Sequence, residues 1–167
     1  MKLSRLIPLA AMAPLAVLAA CKQETKAPEA ENAQTVAPDA KPGIAASDGV
    51  LMLPAVKGNP GGAYFTVVNT AGKDVTLAAV SIDGAGKTEM HDMRNGEMTP
   101  TTNVDIKNGE TVKFERGGRH VMAFDLSDAV AAGGTVEMTL TFADGDKVSA
   151  PLKVEAAGGA MNHGGAH

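Results

Sequence analysis

Between residues 135 and 142 the side chains alternate. Val136, Met138, Leu140 and Phe142 are interleaved with Glu137, Thr139 and Thr141. A period of two places one set on each face of an extended strand, so this segment reads as a strand with one face in a core. Short alternating or apolar runs recur at 50–56, 63–69, 75–82, 88–93, 111–114, 120–126 and 148–154. Turn-forming pairs punctuate them: Asn108-Gly109, Gly133-Gly134 and Asp144-Gly145. No stretch repeats apolar residues at helical spacing. Seven to nine short strands over residues 48–155 predict an all-β fold, one antiparallel sandwich or barrel. That length supports one core and is too short for two.

The flanks have a different texture. Met1-Lys2-Leu3-Ser4-Arg5 is basic and leads into an apolar run at 6–20 that is broken only by Pro8 and Pro14. The run is shorter than the ~20 residues that span a bilayer, so residues 1–20 read as an export signal. It ends Leu18-Ala19-Ala20-Cys21. Small residues followed at once by Cys resemble a bacterial lipobox, which makes Cys21 the expected lipidation site. Cys21 is the sole cysteine, so no disulfide can form within the chain. Residues 21–47, rich in Ala, Pro, Glu and Lys, bury too little apolar surface to order themselves and read as a lipid-anchored flexible tether. Residues 156–167, Gly- and Ala-rich, read as a disordered tail. The localisation expected is periplasmic, on a membrane through the lipid. Lys22 stands where an aspartate would signal inner-membrane retention, which favours the outer membrane.

Charge narrows the partners. Lys2 and Arg5 leave with the signal, so the net charge falls from −4 to −6. No basic stripe is left to follow a phosphate backbone, and nucleic acid is excluded as a partner. No nucleophile–His–acid arrangement is in view either, so no hydrolytic enzyme is expected.

The chemistry resides in His and Met. The chain has four histidines. His91 and Met93 are two apart in one expected strand, and His120 and Met122 are two apart in another, so each pair shares a face. Met98 follows in the segment Arg94-Asn95-Gly96-Glu97-Met98-Thr99-Pro100, read as a loop. Neutral imidazole with thioether is a soft, uncharged donor set that suits a monovalent d¹⁰ ion better than a hard divalent one. Thioethers also survive an oxidising compartment that would join a pair of thiols. Met52, Met90 and Met138 fall on the apolar side of their strands and read as core. Met161, His163 and His167 in the tail are candidates for a looser second site, for Cu(II), which favours nitrogen.

Met98, then 21 residues, then His120-Val121-Met122 resembles the M-X21-H-X-M half of the signature of PCu(A)C periplasmic copper chaperones. Gly61-Gly62-Ala63-Tyr64-Phe65-Thr66-Val67-Val68-Asn69, Thr88-Glu89-Met90-His91-Asp92-Met93 and Gly117-Gly118-Arg119-His120 are similar to further segments of that family. The likeness spans roughly residues 50–155. Two departures stand out: six residues separate His91 from Met98 where the family has about ten, and Arg116 replaces a usual Pro. The resemblance implies a cupredoxin-like β-sandwich that is not an enzyme. It implies Cu(I) held by His91, Met98, His120 and Met122, with Met93 a further candidate. It also implies delivery to an acceptor, the binuclear copper centre of cytochrome c oxidase or a thiol-bearing assembly factor, by a monomeric carrier. Copper buffering without delivery is the alternative. A blue-copper electron carrier would need a Cys thiolate in the domain, and the sole Cys lies at the lipobox.

The lipobox reading is tested by Cys21→Ser. Expressed in a bacterium that acylates lipoproteins, this variant is expected to lose incorporation of labelled palmitate and to leave the membrane fraction.

Overall fold

The computed structural model describes residues 41–158, all strand, turn and loop. The expected signal, Cys21, the tether up to residue 40 and the tail with Met161, His163 and His167 lie outside the described residues. Among the described residues no helix is long and apolar enough to cross a membrane. Ten strands follow in order: β1 (Ile44–Met52), β2 (Gly61–Asn69), β3 (Val75–Ile82), β4 (Ala85–Arg94), β5 (Glu97–Thr101), β6 (Val104–Ile106), β7 (Thr111–Phe114), β8 (His120–Leu126), β9 (Thr135–Phe142) and β10 (Lys147–Glu155).

They pair along one path, β5-β4-β8-β2-β1-β10-β9-β3-β6, with β7 also on β2. The two end strands, β5 and β6, are consecutive in the chain and joined by only Thr102 and Asn103. So short a link spans about 10 Å at most, so the path must curl until its two ends lie near each other. Curling wraps all ten strands around a single core. Leu51, Phe65, Val67, Leu77, Ile106, Val121, Met138, Leu140, Phe142 and Leu152 are buried in one cluster. In β9 the buried positions are Met138, Leu140 and Phe142, with Val136 partly buried at the rim, as the alternation requires. Phe65 and Phe114, paired across β2 and β7, stack with ring centroids 4.2 Å apart. Met52, Met90 and Met138 are core residues.

Three features depart from the sequence expectation. First, β1 begins at Ile44, six residues before the apolar run that announced it, and ends at Met52 rather than near 56. Its front half, Ala45-Ala46-Ser47, carries no apolar signal and is held by backbone pairing to Val68, Val67 and Thr66 of β2. The strand thus reaches into the segment assigned to the tether. Second, β1 pairs with β10 in parallel, Val50 opposite Lys153 to Met52 opposite Glu155, in an otherwise antiparallel sheet. Strands from opposite ends of the domain share no hairpin that would fix their relative direction. Third, β5 and β6 replace expected loop. In β5 four of five residues are exposed and Pro100 interrupts the pattern, because an edge strand needs only one partner and no buried face.

Lys41, just before β1, is tied to the turn between β9 and β10. Its side chain is buried, and its ammonium bonds to Asp144 and, at 2.7 Å, to Asp146 in the β9–β10 turn. Burial opposes the lysine's charge, but the hydrogen bonds to the two aspartates outweigh it and raise its pKa above 10.5. The hydrogen bond from Lys41 holds Asp144 below the ordinary 3.8.

A raised lysine stabilises the fold fully below its unfolded pKa and loses that contribution as pH rises through the folded one. A depressed aspartate contributes above its unfolded pKa and loses this as pH falls through the folded one. In urea melts Lys41→Met is therefore expected to be less stable than the parent by a constant margin across neutral pH. That margin should shrink as pH drops below 3.8 and again above 10.5.

Candidate metal centre

β4 sits between β5 and β8, and their registers define the site. On β8 the pairs are Glu89 with Met122, Met90 with Val121, and His91 with His120. On β5 they are Met93 with Met98 and His91 with Pro100. Alternation puts Glu89, His91, Met93, Met98, His120 and Met122 on one face of this ribbon. Met90 and Val121 point the other way, into the core. The face therefore reads as three rungs: Glu89·Met122, His91·His120 and Met93·Met98.

The two imidazoles lie face to face, centroids 5.8 Å apart and planes 19° from parallel. Each residue is only 8% exposed. A buried ring must settle which nitrogen carries its proton. Gly118 O can only accept, so His120 Nδ1 donates to it at 2.9 Å, which leaves Nε2 as the nitrogen that can offer a lone pair. For His91 the partner is Glu89 Oε2, 3.2 Å from Nε2. The hydrogen bonds from Lys87 first, then His91, hold the Glu89 carboxyl below the ordinary 4.5, so it accepts from Nε2–H. His91 Nδ1 is then bare as well, and it is buried with no hydrogen-bond partner among the described residues. A buried polar atom without a partner costs about 1–3 kcal/mol. Such an orphan calls for a function, and a bare imidazole nitrogen has the lone pair of a metal ligand.

The surroundings fix the pair in place. Arg119, just before β8, and Asp92 of β4 flank the histidine pair as an ion pair, with Nη2 3.4 Å from Oδ2. Beside Met122, β2 contributes Gly62 at the paired position. The Tyr64 hydroxyl folds over that glycine, so a β-carbon there would come within 2.7 Å of the Tyr64 oxygen. The Arg116 guanidinium lies 5.6 Å from the Tyr64 ring centroid. Among the described residues no three of His, Asp and Glu gather closely enough to hold an ion. Apart from the Glu89 carboxylate, which is held by Lys87 and His91, the donors beyond the two imidazoles at this face are thioethers. Imidazole with thioether is soft and uncharged, and it fits a monovalent d¹⁰ ion.

His91 shares a face with Met93 and His120 with Met122, as expected, and the β4–β8 register puts both pairs on one side of the ribbon. Met98 is on that face too, but the expected loop around it is a hairpin. Asn95 and Gly96, at φ 53° and 83°, make a tight two-residue turn of type I′, which seats Met98 in β5, 51% exposed. Sequence reasoning missed Glu89, whose place two residues before His91 was the available signal. It also missed Tyr64, which only the approach of β2 to β8 brings near Met122.

The lipoprotein LpqE-like family model matches residues 44–154. The chain belongs to the LpqE-like family. A curated relative, the uncharacterized protein RP573 of Rickettsia prowazekii (strain Madrid E), is 31% identical over 96 residues. The match covers 54% of this chain and 53% of RP573, so the chain spans about half the length of this relative. Among solved structures, the copper-bound PCuAC domain from PmoF2 aligns with a TM-score of 0.59 at 24% identity, over 68% of this chain and 93% of that one. The apo PCuAC domain from PmoF1 gives 0.58 at 22%, over 68% and 94%. CuI-DR1885 from Deinococcus radiodurans gives 0.52 at 20%, over 67% and 76%. At these identities the likeness establishes the fold: the LpqE-like domain has the cupredoxin-like β architecture of PCuAC domains.

The ring assignments are directly observable. Long-range ¹H–¹⁵N spectra of the metal-free LpqE-like chain at neutral pH are expected to show His120 protonated on Nδ1 and His91 on Nε2. Glu89→Leu should abolish the His91 preference and leave that of His120 intact.

Proposed function

We propose that this protein is an extracytoplasmic copper carrier, and not an enzyme. It binds Cu(I) through His91 and His120 with the Met122 thioether from the flanking rung, while Met93 and Met98 stand on the other side of the imidazole pair. The observation that carries the reading is the facing pair of buried imidazoles, each offering one nitrogen, His91 Nδ1 having no hydrogen-bond partner among the described residues. Two supports come from relatives: the PmoF2 domain is a copper-bound PCuAC domain and DR1885 is described in a Cu(I) state. The ligand set has no thiolate to oxidise and no net charge, so it stabilises a monovalent ion without inviting Cu(II). With both imidazoles almost buried and thioethers at the rim, an acceptor ligand can bind the ion before the imidazoles release it.

The family description and the lipobox at Cys21 support a lipid-anchored location outside the cytoplasm. The acceptor we propose is the binuclear copper centre of cytochrome c oxidase, reached directly or through a thiol-bearing assembly factor.

Competition against a chromogenic Cu(I) chelator under reducing conditions tests the binding. His91→Ala/His120→Ala is expected to weaken affinity by about 100-fold or more, roughly 2.7 kcal/mol. Parental affinity in that variant would overturn the reading. For delivery, a deletion strain is expected to lose oxidase activity that added copper restores. Normal respiration together with copper sensitivity would instead mean buffering.

A further inference from the structure

The registers that build the site also divide it. Met122 lies one rung to one side of the imidazole pair, and Met98 lies one rung to the other side, on the far strand. From the Glu89 rung to the Met93 rung is four residues, about 13 Å along β4, and β5 is two strand spacings from β8, roughly 9.5 Å. Their α-carbons are therefore about 16 Å apart, and the usual sheet twist shortens this by only about 1 Å. A methionine sulfur reaches about 4 Å from its α-carbon, and a metal–sulfur bond adds about 2.3 Å. Two thioethers sharing one ion thus span about 13 Å at most. Met98 and Met122 fall short of each other.

Met93 and Met98, in contrast, are directly opposite, where β-carbons stand about 5 Å apart. The hairpin holds them there. Five consecutive pairs run from Met90 with Thr101 to Arg94 with Glu97, closed by the Asn95-Gly96 turn. A one-residue slip would throw every side chain of β5 to the other face. Met98 is half in solvent, whereas His91 and His120 are nearly sealed.

We propose that Met93 and Met98 form a second, separate Cu(I) station at the rim, distinct from the seat made by His91, His120 and Met122. The inference rests on the copper-carrier reading and specifies its route. An incoming or outgoing ion is held first by the two thioethers, and His91 lies two residues from Met93 and diagonal to Met98. Transfer is then ligand exchange: copper bonds to His91, His120 and Met122 form in turn as the copper–sulfur bonds to Met98 and then Met93 break, and the reverse on exit. Copper stays monovalent throughout, and no proton or electron moves. The short spacing between His91 and Met98 is what creates the station, because it makes a tight hairpin of a segment that a longer loop could fold over the imidazoles.

The test uses the full chain labelled with ¹³C at the methionine methyls and titrated with Ag(I), a redox-inert monovalent d¹⁰ ion, with assignments from single Met→Leu variants. Leu keeps the volume, so the fold is retained. The Met122 methyl is expected to shift over the first equivalent, and those of Met93 and Met98 to shift together only over the second. In parallel, Met93→Leu/Met98→Leu should leave first-equivalent Cu(I) affinity within about threefold of the parent. The same variant should slow release of bound Cu(I) to a chelator about tenfold. If Met98 and Met122 shift together in the first equivalent, or Met98→Leu weakens the first site as much as Met122→Leu, the two-station inference falls while the carrier reading stands. If neither the imidazoles nor any of these methyls respond to Ag(I), the carrier reading falls with it.

Discussion

The antiparallel pairing of β4 with β8 is the constraint from which the rest of the site follows. It brings two histidines from well-separated stretches of the chain into one rung, at 5.8 Å between ring centres. The same ladder sends Met90 and Val121 into the core, so the alignment of the rings is tied to burial of the apolar face. Slipping by one residue would expose that apolar surface and bury the imidazoles unpaired, a change that costs far more than it could recover. Arg119 and Asp92 flank the histidines as an ion pair, a second mark of the same register.

Electrostatics refine what the register assembles. Both imidazoles donate one N–H to an oxygen, one a backbone carbonyl and the other a carboxylate. These partners leave each ring one lone pair, on Nε2 of His120 and on Nδ1 of His91. Lys87, which itself lies over the Phe124 ring at 5.5 Å, binds Glu89 and keeps it ionised. The charges near the site are thus paired off among themselves, and the donors facing the space between the rungs are neutral. A neutral, soft surrounding is what a carrier of a monovalent ion requires, since a strongly charged cage would favour divalent metals and hold them too firmly to release.

Much of the architecture was legible because burial writes itself into alternation. β3, β7, β8 and β9 coincide with runs visible in the sequence, and the Asn108-Gly109 and Asp144-Gly145 turns stand between strands as expected. β5, β6 and the front of β1 were not legible. Edge strands and small-residue strands are held by backbone hydrogen bonds, to which side-chain pattern is blind. Buried Lys41 was illegible for a related reason: its partners, Asp144 and Asp146, lie more than a hundred residues away.

By itself the sequence determined the donor chemistry. His91, Met93, Met98, His120 and Met122 are soft neutral ligands whatever the fold, and spacing of two puts each His–Met pair on one side of an extended chain. Only the tertiary structure decided which donors meet. Strand neighbours and register come from the competition of every apolar face for one core, a global balance that no local pattern encodes. That balance sets His91 against His120, gives Glu89 to His91, and seats Met98 opposite Met93, across the imidazoles from Met122.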